Sequence, residues 1–221
     1  EYEDLYQIAL YKILAQYKYS VFIIPETYFL TNLFKEYLNN ITILEENPFE
    51  DTDCPVCVAC FEVTTDFNRL SGNVYDIYKN EVRLFTNHEL ENIIQQYIPK
   101  NDYDIKFNIP TGNLGLRAVD GINPTDRIRF CLPEELGYET EDIKESSRSI
   151  TIIEVPCVVD KEFLDIANKQ LESIREATHD VIFAPFKNNN KVGVRRRRLD
   201  YGWARRILNI AIERYLTKNK K

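Results

Sequence analysis

The chain has 221 residues, of which 44% are hydrophobic and 29% are charged, a composition typical of a globular protein with a sizeable core. Its 14 tyrosines and 12 phenylalanines supply too much apolar side-chain area for a wholly disordered chain. No apolar run approaches the roughly 20 residues that a membrane-spanning helix needs, so we expect no membrane as a partner.

The number and pattern of the cysteines indicate the redox environment of the protein. Their number is odd, and in a chain of this length they do not form the pattern of a disulfide framework. We therefore predict free thiols in a reducing compartment, and a cytoplasmic protein.

The net charge of −7 conceals a strong asymmetry along the chain. Residues 187–221 contain 12 Lys and Arg but only two acidic residues, a net charge of +10. Residues 1–186 contain 16 basic and 33 acidic residues, a net charge of −17. This asymmetry predicts an acidic body over 1–186, a basic C-terminal segment over 187–221, and an electrostatic partner for that segment.

Apolar periodicity predicts the elements of the first half of the chain. Leu5, Ile8 and Ile13 recur at helical spacing, whereas 19–24 is a β-branched and aromatic run that ends at a proline. By the same criteria we expect helices over 3–17, 27–38, 68–79 and 89–97, and strands over 19–24, 41–44, 56–63 and 82–86.

In the second half, we expect strands over 104–109, 128–132, 150–159 and 181–186, and helices over 160–178 and 200–216. Pro156 within its run predicts an edge strand or a bent one. The glycine-containing stretch 111–115 is interpreted as a plain loop, and the acidic stretch 133–148 as an exposed excursion.

Helices and strands alternate at both ends of the chain, with a strand-rich middle. This order predicts an α/β fold, with α+β as an open alternative, in which a mixed β-sheet is flanked by helices in a single domain. The closing helix should pack on the body through an apolar stripe and bury Trp203, its largest member. The other members of the stripe are Ile207, Leu208, Ala211 and Tyr215.

The strongest indication of function is the arginine cluster. Four consecutive arginines precede the closing helix, which contributes two more. Clustered guanidinium groups are planar, always charged and weakly hydrated, as phosphate binding requires. Two alternatives stay open: neutralisation of an acidic protein surface, in this chain or a neighbouring copy, and a merely solvated face. The predicted nucleic-acid-binding residues are Arg195, Arg196, Arg197, Arg198, Arg205 and Arg206.

A second indication is a strand that ends in carboxylates, over 56–66. Strand alternation places Glu62 on an otherwise apolar face, where a charge is costly unless it binds a partner such as a divalent metal. The Phe-Glu-Val stretch at 61–63 resembles the core strand of the PD-(D/E)XK, restriction-endonuclease-like nucleases. The resemblance covers about 40–98 and implies metal-dependent phosphodiester cleavage.

The predicted catalytic residues are Glu62, Asp66 and Asp76, with Glu62 and Asp66 as ligands of Mg²⁺ or Mn²⁺, since hard oxygen ligands select such metals. The sequence departs from the family at Thr64, where a lysine is expected, and at Asp53, which lies far along the chain from Glu62.

A zinc site is the weaker interpretation of the same region. Cys54, Cys57 and Cys60 have zinc-like spacing, but no second Cys or His pair follows, and alternate positions of a strand face apart.

Two function hypotheses follow. The first is a nucleic-acid-binding protein that holds phosphates with its C-terminal arginines, with a magnesium-dependent nuclease as its catalytic extension. The second is a non-enzymatic assembly subunit, in an oligomer or on another protein, whose basic segment docks on an acidic surface.

Overall fold

The computed structural model describes residues 4–31, 33–44, 48–63, 73–78, 81–137, 147 and 149–219, with the backbone alone for 73–78 and 81–88. These residues form a mixed α/β fold, as predicted, with two compact units, Glu1–Asn92 and Ile93–Lys221. The helices are α1 (Leu5–Leu14), α2 (Asn87–Gln95), α3 (Lys161–Thr178) and α4 (Tyr201–Lys218). The strands are β1 (Tyr19–Pro25), β2 (Leu38–Ile43), β3 (Val56–Glu62), β4 (Asn73–Tyr78), β5 (Glu81–Thr86), β6 (Lys106–Phe107), β7 (Leu114–Arg117), β8 (Arg129–Cys131), β9 (Ile150–Glu154), β10 (Ala184–Asn189) and β11 (Arg195–Arg198).

The first unit is built around a five-stranded sheet in the order β1-β3-β2-β4-β5. Its neighbouring strands are antiparallel except for the parallel pair β2 and β4, so the predicted mixed sheet is confirmed. Alternation buries Ile24, Ile41 and Phe61 on one face, whereas Tyr19 and Val21 of the edge strand β1 are exposed. The sheet is therefore apolar on both sides at this edge.

The helix predicted over 27–38 is wrong. The stretch forms two short 3₁₀ helices, Glu26–Leu30 and Lys35–Tyr37, separated by a left-handed residue, Phe34. Side chains hold this turn by bonding to the backbone: the Tyr28 hydroxyl donates to the Leu33 carbonyl at 2.6 Å. Such local bonds compete with a continuous helix, and periodicity alone does not reveal them.

The helix predicted over 68–79 is also wrong where the chain is described, because 73–78 is strand β4. Its residues Val74, Tyr75 and Ile77 favour extended backbone, and β4 is paired on both sides, by β2 and by β5. Residues 68–72 and 79 lie outside the described residues.

The second unit contains a four-stranded antiparallel sheet in the order β6-β9-β7-β8. Strand β9 lies inside this sheet, so the predicted edge position is wrong: β9 ends at Glu154, before Pro156 can interrupt its ladder. Strand β7 begins within the stretch interpreted as a plain loop. Gly112 approaches β9 so closely that an added Cβ would lie 2.5 Å from the Ile153 carbonyl oxygen.

The two long helices of the second unit begin at the predicted aspartates. Asp160 and Asp200 each accept a hydrogen bond from a first-turn amide at 2.8 Å, the usual side-chain cap of a helix N-terminus. Helix α4 packs against α3, and the Tyr215 hydroxyl donates to the Asp160 carboxylate at 2.8 Å. The acidic stretch from 133 begins with a 3₁₀ helix, Pro133–Leu136, which buries Leu136 completely. Residues 138–146 and 148 lie outside the described residues.

Helix α4 buries its apolar stripe through Ile207, Leu208, Ala211 and Tyr215, as predicted, but Trp203 is only half-buried. Its ring meets Phe183 edge-on, with the ring centroids 6.4 Å apart. Phe183 is completely buried, so it is the buried anchor at this point.

The two compact units meet along the chain at Asn92 and Ile93. Residues 187–219 belong to the same unit as α3, and position 187 lies within strand β10. No helix of the described residues is both long enough and apolar enough to cross a membrane.

Candidate nucleic-acid interface

The four consecutive arginines form strand β11, and strand alternation divides them between two sides. Arg195 and Arg197 are 6% and 2% exposed, whereas Arg196 and Arg198 are half-buried and reach the surface. The expectation of one surface cluster of four arginines is therefore wrong. The local sequence Lys-Val-Gly-Val precedes the strand and forms the turn that enters it, with Gly193 at a φ of +82°.

A buried carboxylate fixes β11 in place. Asp120 accepts hydrogen bonds from the backbone amides of Ile128 and Arg197, both at 3.0 Å, and from two guanidinium nitrogens of Arg175, both at 2.9 Å. The Asp120 amide in turn donates to the Arg197 carbonyl at 3.0 Å. Asp120 thus connects β11, the segment before β8, and helix α3.

Arg175 is shared between two carboxylates. Its Nε donates to Asp180 at 2.7 Å, and its Nη atoms bind Asp120. Helix α3 ends in two left-handed residues, His179 and Asp180, which turn the Asp180 side chain back toward the last turn. Burial opposes the charged form of Asp120, but the Arg175 contacts and the two amides outweigh it and lower the pKa of the carboxyl.

Arg196 is held flat against the surface. Its guanidinium carbon lies 4.9 Å from the centre of the Phe186 ring, and its Nε donates to the Asp120 carbonyl at 2.7 Å. Its Nη1 also reaches the Lys187 carbonyl at 3.4 Å. An arginine fixed in this way loses little side-chain entropy when its remaining donors bind an anion.

Two lysines of this region are exposed: Lys187 within β10, and Lys191 in the turn between β10 and β11. The Asn190 side chain accepts hydrogen bonds from the amides of Val192 and Val194, at 3.1 and 2.9 Å, and so fixes the turn. We call residues 184–198 the basic hairpin. The cations that it presents to solvent are Lys187, Lys191, Arg196 and Arg198.

Two arginines of α4 lie beside aromatic rings. Arg205 donates to the Ile105 carbonyl at 2.8 Å and lies 5.4 Å from the centre of the Phe107 ring. Arg206 lies 4.8 Å from the centre of the Trp203 ring. Both guanidinium groups are half-buried, so each keeps part of its donor edge in contact with solvent.

None of the exposed or half-buried cations of 187–206 forms an ion pair with a carboxylate in the described part of the chain. Elsewhere in the same unit Arg127 pairs with Glu172 at 2.8 Å, and Lys106 pairs with Glu154 at 2.9 Å. The single acidic residue of 187–206 is Asp200, whose carboxylate caps α4. Within the described part of the chain, these surface cations therefore have no carboxylate paired with them.

Glu62, the predicted metal ligand, lies at the end of β3 in the first unit. It is half-buried, it is paired across the ladder with Tyr19, and its carboxylate lies 3.8 Å from the Lys18 ammonium. Among the described residues, no group of three or more His, Cys, Asp or Glu side chains could hold a metal ion.

The strand register separates Glu62 from Asp76. Ile43 of β2 is paired with both Cys57 of β3 and Asp76 of β4, whereas Glu62 lies five residues farther along β3. That offset is roughly 16 Å along the strand, with two interstrand spacings of about 4.8 Å in addition. The two carboxylates cannot share one metal ion, and Asp66 lies outside the described residues. The residues described at Glu62 do not fit a magnesium centre.

All five cysteines are free thiols, as predicted. Burial raises the pKa of Cys57 to about 12 and that of Cys131 to about 11. Cys57 and Cys60 differ by three positions in β3 and therefore face opposite sides of the sheet, which does not suit zinc.

No protein-family model, curated protein or solved structure matches the chain. The chemistry of its own surfaces is therefore the basis for assigning a function.

Proposed function

We propose that the chain binds nucleic acid, with the basic hairpin and the nearby arginines of α4 in contact with phosphates. The supporting observation is the absence of ion pairs at these cations within the described residues, although other cations of the same unit are paired. Phosphate oxygens would supply the missing counter-charge. In such complexes the release of condensed counter-ions provides much of the affinity.

The arrangement favours contact with the backbone of the nucleic acid over the reading of bases. The hairpin presents its cations on two strands and a tightly bonded turn rather than on a helix that could enter a groove. Arg196 offers a fixed planar donor group, and Lys187 and Lys191 act as mobile point charges. This combination suits phosphates of either DNA or RNA with little sequence preference.

Metal-dependent cleavage stays a prediction and is not part of this proposal, because the described carboxylates do not converge near Glu62. The resemblance to PD-(D/E)XK nucleases over about 40–98 likewise stays an expectation from the sequence. A cytoplasmic location belongs to the proposal and is supported by the five free thiols.

Replacing Lys187, Lys191 and Arg198 with Gln should weaken binding to a fluorescein-labelled 30-nucleotide DNA or RNA on the order of tenfold or more at low salt. None of these three side chains makes a hydrogen bond within the described residues, so the fold should be preserved. Fluorescence anisotropy gives the dissociation constant, and circular dichroism checks the fold.

The matched control removes the same charge elsewhere. Lys12, Lys161 and Lys169 are exposed and form no ion pair within the described residues. Their replacement with Gln should leave the dissociation constant nearly unchanged. Equal loss of affinity in both triple variants would mean that net charge alone governs binding, and the hairpin proposal would be rejected.

A further inference from the structure

A groove on the second unit combines apolar walls with positive charge. It lies between the segment after α2 and the last three turns of α4, with a volume of about 560 Å³. Ile98, Pro99 and Ile210 supply apolar surface, and Ile98 is 51% exposed. An exposed isoleucine beside a concave surface is a favourable contact for an apolar side chain of a ligand.

Three cations line the same groove: Lys100, Arg214 and Lys218. Lys100 and Arg214 form no ion pair in the described part of the chain, whereas Lys218 is bound to Glu162. Glu213 is the single carboxylate of the described lining. The groove is therefore net positive, and its apolar walls favour an acidic peptide segment over a bare phosphate.

The chain itself contains a segment with that chemistry. Residues 45–53 include five carboxylates and no cation, and Phe49 lies in the middle of the segment. Phe49 is 46% exposed, and the neighbouring residues Glu50 and Asp51 are exposed too. An exposed aromatic ring flanked by carboxylates complements an apolar groove bordered by cations.

We propose that this groove binds the acidic segment 45–53 of a second copy of the chain. Phe49 would contact Ile98 and Ile210, while Glu50 and Asp51 would face Lys100 and Arg214. The overall charges agree, because the first unit has 16 acidic and six basic residues, and the second has 19 acidic and 22 basic residues. The two units thus carry net charges of −10 and +3, which attract each other in a contact between copies.

The contact joins two different surfaces of the chain. It can therefore form twice across a two-fold axis, or repeat head to tail in a closed ring or an open chain of copies. The interaction is independent of the basic hairpin, so the variants that test it leave Lys187, Lys191 and Arg198 unchanged.

Charge reversal tests the pairing. We expect Lys100→Glu with Arg214→Glu, and separately Glu50→Lys with Asp51→Lys, to weaken self-association by at least about tenfold. Mixing the two reversed proteins should restore association, because each supplies a charge-matched surface. Sedimentation velocity over a concentration series measures the association, and Lys161→Glu with Lys169→Glu is the control that should change nothing.

A wild-type chain that stays monomeric at all concentrations would overturn the proposal, as would self-association unaffected by both reversals. Failure of the mixture to associate would show that the two surfaces are not partners. Nucleic-acid affinity measured on monomeric reversed proteins separates the two proposals, because it should match the wild type if the groove takes no part in holding phosphates.

Discussion

Replacing Asp120 with Ala is expected to lower the free energy of unfolding by about 3–5 kcal/mol, the usual cost of removing one partner of a buried ion pair. Asp120 is 9% exposed and accepts four hydrogen bonds. Its loss leaves the buried amides of Ile128 and Arg197 without this acceptor. It also leaves Arg175, 4% exposed, with Asp180 as its remaining carboxylate partner.

Urea denaturation at pH 7 measures the change. The control is Glu172→Ala, which removes an exposed carboxylate at 2.8 Å from Arg127 and should cost less than about 1 kcal/mol. Similar costs for the two substitutions would contradict the role of Asp120 as the buried connection between α3 and β11.

The destabilisation caused by Asp120→Ala should also depend on pH, unlike that caused by Glu172→Ala. The pKa of Asp120 is lowered in the folded chain, so its charged form stabilises the fold above the ordinary pKa of an aspartate, about 4. This stabilisation is lost as the pH falls through the folded pKa. The difference between wild type and Asp120→Ala should therefore shrink in acid, whereas the cost of Glu172→Ala stays small throughout.

Replacing Arg197 with Ala should cost about 2–5 kcal/mol, comparable to the truncation of a large core residue. Arg197 is 2% exposed and is the largest fully buried side chain of the chain as described. Its Nη1 donates to the Phe183 carbonyl at 3.5 Å. Truncation would leave a cavity beneath β11 and remove this buried donor.

Replacing the adjacent residue, Arg198, should affect binding more than stability. Arg198 faces the other side of β11, so Arg198→Ala should cost at most about 0.5–1 kcal/mol and should weaken nucleic-acid binding instead. Chemical denaturation and anisotropy titrations on both variants separate the two effects. Equal destabilisation by both substitutions would contradict the alternation of β11.

The parts of the fold that depend on local signals could be predicted from the sequence. Helix α3 and helix α4 have an aspartate cap followed by an amphipathic run, and strands β1 and β3 are compact apolar runs. In each case the residues that determine the element are neighbours along the chain.

The errors arose where distant residues decide the structure. Strand β4 is held between β2 and β5, a pairing that its own spacing does not reveal. The turn near Tyr28 depends on hydrogen bonds from side chains to backbone carbonyls. In both places tertiary context overrides helical periodicity.

The composition of the sequence predicted that the candidate interface is basic, but it did not predict which of its arginines reach the surface. A run of four arginines indicates a basic surface, yet half of it is buried because the run is a strand. The Arg197 amide of this strand is bound to Asp120, which lies 77 positions from Arg197 and 55 from Arg175. No local motif connects these residues, so the ion network could not be found from the sequence.

The most direct test of the proposed function is the salt dependence of nucleic-acid binding by the wild-type chain. If the four surface cations of the basic hairpin and the two arginines of α4 contact phosphates, the logarithm of the affinity should fall with the logarithm of salt concentration with a slope of about −4 to −5. The variant with Gln at 187, 191 and 198 keeps three of these contacts and should show a slope of about −2 to −3. A slope near zero in the wild type, or the same slope in both proteins, would contradict phosphate binding by the hairpin.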